Sequence, residues 1–113
     1  MKDLGLTRMV KVEVVVRADD ADVVRELLRA AGVSGWTSLT GVSGFGHHGN
    51  HEGRLLFNER SGLVMVIAVL PEQHGEPVVA GLRQLFGDRP GVMFISDTWV
   101  SRPEYFDAGS ALR

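Results

Sequence analysis

MVKVEVVVRADDADVVRELLRAAG, running from Met9 to Gly32, changes its hydrophobic period halfway along, and that change decides the fold. From Met9 to Arg17 the pattern alternates: Val10, Val12, Val14 and Val16 share one face, while Lys11, Glu13, Val15 and Arg17 share the other. A period of two is that of a strand with one face more buried than the other. Beyond Asp20, Val23, Val24, Leu27, Leu28 and Ala31 recur at three- and four-residue intervals, the spacing of a helix face. Asp19 or Asp20 offers an N-cap, the acidic first turn suits the positive end of the helix dipole, and Gly32 supplies a C-terminal stop. A strand followed directly by an amphipathic helix is the first half of a crossover unit.

The rest of the chain repeats the theme. Residues 35–42, with Trp36, Thr37, Leu39 and Thr40, suit a pleated surface and predict a second strand. Leu63 to Leu70 is apolar throughout, which predicts a third strand buried on both faces and ended by Pro71. Pro77 fits the first turn of a second helix that carries Val78, Val79, Leu82, Leu85 and Phe86 before Gly87. Asp88-Arg89-Pro90-Gly91 reads as a turn, and Val92 to Val100 as a fourth strand, with Met93, Ile95 and Trp99 opposite Phe94, Ser96 and Thr98. The order βαββαβ predicts an α+β, ferredoxin-like fold. Right-handed crossovers place both helices on one face of a four-stranded antiparallel sheet, and a long loop joins strands two and three. The domain is expected over 9–102, with 1–8 a flexible N-terminus and 103–113 a tail that frays or docks on a neighbour. The second sheet face carries Val15 and half of the third strand, so sheets are expected to pack together between subunits.

With 113 residues, the chain suits one domain. A formal net charge of −2 lacks the basic field that nucleic-acid phosphates demand. The absence of cysteine excludes disulfides and thiolate metal sites. No apolar run approaches the roughly 18 residues that cross a bilayer. No signal-peptide core follows Lys2. The expected location is the cytoplasm, without direct membrane insertion.

The segment SGFGHHGNHEG, Ser43 to Gly53, gathers four glycines and three of the four histidines. Successive glycine N–H groups can form a nest for an anion, and clustered imidazoles can donate to phosphate. The same histidines, His47, His48 and His51, form with Glu52 a candidate ligand set for Zn, Ni or Cu, although His-His-x-x-His matches no closed structural zinc motif. A solvated loop without a ligand is the third reading. Arg54, Arg60, Arg89 and Arg102 are the candidate cations; the plain alternative is exposed arginines, with Arg89 paired to Asp88. Trp99 is expected to pack into the core or a subunit interface, and Trp36 either packs or stacks on a base. Ser43 and Ser61 have no nucleophile elbow, Glu52 and Glu59 have no evident reason to converge, and no Walker-A lysine pattern occurs. An enzyme is not expected.

Taken in order, Val10 to Arg17, Ala31-Gly32-Val33, Gly35-Trp36-Thr37, Gly44-Phe45-Gly46, Val69-Leu70-Pro71 and Gly91-Val92-Met93-Phe94-Ile95 resemble the PII signal-transduction superfamily, over about Met9 to Arg102. The resemblance implies a ferredoxin-like homotrimer that binds an adenine nucleotide between subunits and regulates a membrane transporter through the long loop, the T-loop. It implies nucleotide contacts from Gly44, Phe45, Gly46 and Gly91, with Gly35, Trp36 and Thr37 of the adjacent subunit near base and ribose; at least one of the histidines, His47 and His48 foremost, is expected to contact phosphate or a partner. Arg102 lies close to the paired arginines that the family brings from a neighbouring subunit, and Pro103 occupies one of those places.

The nitrogen sensors of the family follow Gly-Phe-Gly with Arg-Gln and carry lysines at the end of the T-loop and on the last strand. Here His47-His48 follow, and Leu63 or its neighbours and Val92 stand at the lysine positions. Each charge-assisted hydrogen bond is worth about 1.5–3 kcal/mol, so losing several disfavours ATP relative to AMP or ADP. The sole tyrosine, Tyr105, lies outside the loop, and His48 replaces the glutamine that helps hold magnesium and 2-oxoglutarate. Uridylylation and 2-oxoglutarate are therefore not expected. AMP or ADP is the expected effector, with bicarbonate open as a second one and no cofactor required. The alternative is a metal-binding accessory module of an efflux system that uses His47, His48, His51 and Glu52.

Overall fold

Eight elements follow one another in the computed structural model, which describes residues 4–44, 46–47, 55–57 and 62–106. They are β1 (Thr7–Arg17), α1 (Ala21–Ala30), β2 (Thr37–Val42), β3 (Gly46–His47), β4 (Leu55–Phe57), β5 (Leu63–Leu70), α2 (Gly75–Leu85) and β6 (Gly91–Val100). Four strands form one antiparallel sheet in the order β2-β5-β1-β6, the ferredoxin-like arrangement that the sequence predicts. Inside the expected long loop, β3 and β4 pair in a ladder of their own, Gly46 opposite Phe57 and His47 opposite Leu55. Two short strands without strong alternation leave no periodic trace, which is why the sequence reads there only as loop.

The alternation in β1 sorts its side chains onto two faces. Val12, Val14 and Val16 lie opposite Ala68, Val66 and Val64 of β5, and together they bury the face beneath the helices, where Val24 and Leu28 of α1 and Val78 and Leu82 of α2 meet them. On the reverse face Val15 and Leu63 form a second, smaller cluster with Val42, Met65 and Val92. Register places Leu39, opposite Met65, and Phe94, opposite Glu13, on this reverse face, where they stand 47% and 55% exposed.

α1 ends as the sequence predicts. Gly32 adopts φ +87°, the Gly32 amide donates to the Arg29 carbonyl and the Val33 amide to the Leu28 carbonyl, both at 3.0 Å. These two bonds close a Schellman motif, which a residue with a Cβ would strain. The start of α1 differs from expectation. Asp20 holds the N-cap position, preceded by a 3-10 turn over Ala18–Asp20, yet its carboxylate makes no capping bond and instead accepts from Arg89 Nη1 at 2.9 Å. Arg89 therefore pairs across the fold and not with Asp88.

Three further differences are local. Gly41, at φ +70°, carries a register shift between Thr40 and Val42 that brings Val42 opposite Leu63 and into the reverse-face cluster. β1 also outruns β5: Thr7 and Arg8 pair with Val100 and Trp99, so the ladder reaches past the expected boundary at residue 9. At the other end, Pro103–Tyr105 forms a 3-10 turn beyond the expected limit at 102. Among the described residues no helix is long and apolar enough to cross a membrane.

Candidate functional site

The expected site residues fall at two ends of the sheet. Gly91 lies opposite Val16, Val42 opposite Leu63, and the Ala18 amide donates to the Gly62 carbonyl at 2.9 Å. One end thus collects the start of β6, the end of β1, Gly44 just beyond β2, and the root of the long loop. A small cleft of about 90 Å³ lined by Arg17, Ala18, Asp19 and Gly62 sits there. β6 then runs ten residues to Val100 before Arg102. At about 3.3 Å per residue the strand carries Arg102 some 30 Å or more from Gly91. Within one chain, Gly91 and Arg102 do not meet.

The opposite end collects the remaining candidates. The Ser34 hydroxyl donates to the Tyr105 carbonyl at 3.2 Å, which ties the turn after β6 to the connection that leads into Gly35, Trp36 and Thr37. Arg102 Nη1 donates to the Tyr105 hydroxyl at 2.8 Å. A groove of about 490 Å³ opens here, lined by Trp99, Val100, Ser101, Arg102, Tyr105 and Phe106. Trp99, expected to pack in the core or a subunit interface, forms a partly exposed wall of this groove within one chain.

Each remaining candidate has a distinct setting. The Trp36 ring packs against the main core, and the Arg29 guanidinium lies 5.4 Å from its centroid, so core contact and a cation–π contact already occupy it. A Cβ at Gly35 would meet nothing within 4 Å, whereas one at Gly91 would come within 2.6 Å of the Phe86 ring. Thr37 is exposed and lies opposite Ile67. Leu63 is buried and Val92 half-buried, both in the reverse-face cluster, so these places carry packing and not charge. Gly46 and His47 are placed by the β3–β4 ladder alone. Phe45, His48, His51, Glu52, Arg54 and Arg60 lie outside the described residues, and with them most of the candidate metal set.

Sequence reasoning missed Ser34, Arg29 and Tyr105. Arg102-Pro103-x-Tyr105 did hold a signal: proline fits the start of a 3-10 turn, whose backbone bond from residue 105 to the carbonyl of residue 102 brings the two close.

A ferredoxin-like sheet with a long β2–β5 connection and a glycine-flanked loop root carries the candidate contacts at two opposite ends. The model for the family described as Nitrogen regulatory protein P-II matches residues 9–105, and the chain belongs to that family. Among solved structures it is similar to CPII from Thiomonas intermedia K12 bound to ADP, AMP and acetate, at 33% identity and TM-score 0.76, covering 90% of this chain and 97% of that one. CPII bound to ADP, AMP and bicarbonate matches at 37% identity and TM-score 0.75, covering 90% and 96%. A PII-like signaling protein from Thermus thermophilus, at 17% identity and TM-score 0.71 over 89% and 97%, shares the fold. No curated protein matches the chain.

Proposed function

We propose that the chain is a cytoplasmic, non-catalytic PII-like sensor: a homotrimer that binds AMP or ADP between subunits and acts on a membrane transporter through its T-loop, with bicarbonate as a second effector. The observation that carries this reading is the likeness, at 33–37% identity over nine-tenths of the chain, to CPII structures bound to ADP with AMP and acetate or bicarbonate. The split site supports binding between copies. Gly44, Phe45, Gly46, His47, His48 and Gly91 approach the phosphates from one subunit; Gly35, Trp36, Thr37 and Arg102 come from the adjacent one, where the Ser34–Tyr105 bond keeps them together. The Trp36 ring is already engaged, so its backbone makes the contact. Val92, packed where the nitrogen sensors carry a lysine, and Leu63, packed at or beside the place of the other, support a preference for fewer phosphates.

Calorimetric titration and thermal shift test the ligand. AMP and ADP are expected to raise the melting temperature without added metal, and ATP to do so less. Stabilisation by Zn, Ni or Cu alone, reversed by a chelator and unaccompanied by adenylate binding, would replace this reading with the metal-binding module.

The uncovered reverse face tests the assembly. Leu39 and Phe94 stand 47% and 55% exposed there, so Leu39→Glu with Phe94→Glu changes little within one chain. In a trimer that packs these faces together, six buried carboxylates would be desolvated and mutually repelled. Analytical ultracentrifugation is expected to give a trimer for the wild type and a folded monomer for the double variant. A wild-type monomer would end the trimer reading.

A further inference from the structure

We infer that Tyr105 is a positioning residue, holding the Arg102 guanidinium ready for the nucleotide's anionic groups; the inference rests on the adenylate-binding reading above. Arg102 Nη1 donates to the Tyr105 hydroxyl at 2.8 Å, and the guanidinium carbon lies 5.6 Å from the ring centroid. The backbone enforces the pairing. In the 3-10 turn the Tyr105 amide donates to the Arg102 carbonyl and the Phe106 amide to the Pro103 carbonyl, both at 3.0 Å, which holds residue 105 one tight turn from residue 102. The turn is itself anchored, because the Tyr105 carbonyl accepts from Ser34, 71 residues earlier and immediately before Gly35.

Arginine contributes to anion binding in proportion to how little freedom it must give up on contact. A free guanidinium on its long stem loses rotamer entropy when it clamps a phosphate, while one already held by a phenol loses less. Tyr105 takes one of the five N–H donors and leaves the planar fork able to meet two oxygens. The groove beside it is walled by Trp99, Tyr105 and Phe106, next to which the exposed Arg102 guanidinium stands.

Tyr105→Phe keeps the ring and removes the hydroxyl. ADP titrated into the wild type, Tyr105→Phe, Arg102→Ala and the double variant separates positioning from folding. Tyr105→Phe is expected to weaken ADP binding about three- to tenfold, the worth of one hydrogen bond, with an unchanged melting temperature. In the Arg102→Ala background the same change is expected to cost nothing further. ADP binding by Tyr105→Phe equal to wild type, or an equal loss in both backgrounds, overturns the positioning role while leaving adenylate binding intact. A wild type that takes up no ADP is a separate result: the adenylate reading falls and takes this inference with it.

Discussion

Leu82→Ala is expected to lower the unfolding free energy by about 2–5 kcal/mol, a large part of the roughly 5–15 kcal/mol that holds a domain together. Leu82 is fully buried on the inner side of α2, in the cluster that joins both helices to Val12, Val14 and Val16 of the central strand. Truncation removes apolar surface from the core and leaves a cavity that a helix pinned to a four-stranded sheet cannot collapse to fill. Val23→Ala on α1 is the matched control. Val23 is exposed, so its loss is expected to stay within about 0.5 kcal/mol. Chemical denaturation of both variants at one protein concentration reads the difference, since stability depends on concentration wherever chains associate. Equal midpoints for the two variants would mean that the helices do not form one core with the sheet.

Val23 also marks how far periodicity can be read. The sequence placed Val23, Val24, Leu27, Leu28 and Ala31 on one helix face, and of these the structure fully buries Val24 and Leu28. Each residue advances about 100° around the helix, so a five-member stripe is wider than the strip that touches the sheet, and its edge members remain half-covered or exposed. Strands are more legible because a period of two admits only two faces: Val12, Val14 and Val16 could be sent only to one side together. The bulge at Gly41 was not legible for the opposite reason, since one left-handed glycine reverses the alternation it interrupts.

For the candidate site the sequence offers residue types but not their arrangement. Glycine-rich turns announce themselves by composition, but Gly91 and Arg102 lie at the start and just past the end of one strand and so at opposite ends of the sheet. The bond from Ser34 to Tyr105 joins two irregular segments 71 residues apart, and neither carries a period that could reveal the partner. Arg89 illustrates the same limit. Its sequence neighbour Asp88 offered an obvious partner, whereas the turn before β6 is folded against the start of α1 and delivers the guanidinium to Asp20.

Gly91→Ala is expected to destabilise the protein by about 1–3 kcal/mol, and Gly91→Val by more, for a reason unconnected with any ligand. A Cβ built at Gly91 falls 2.6, 2.8 and 3.0 Å from three carbons of the Phe86 ring, inside normal contact distance. Phe86 follows the last residue of α2 and packs against the main core, so its ring cannot swing away without uncovering apolar surface. The φ of Gly91 is not left-handed, which leaves space and not backbone strain as the requirement. Shrinking the ring should therefore relieve the clash: Phe86→Leu with Gly91→Ala is expected to lose less stability than the two single changes added together. An unaltered melting temperature for Gly91→Ala would show that the ring yields freely and would refute the steric account. Gly35→Ala provides the contrast, since a Cβ there meets nothing within 4 Å and no left-handed φ is needed. Its stability is expected to match wild type, so any loss of ADP affinity in Gly35→Ala reports on contact with ligand. A loss in Gly91→Ala includes the displacement of Phe86, and only a part that survives in the Phe86→Leu background would report contact with ligand.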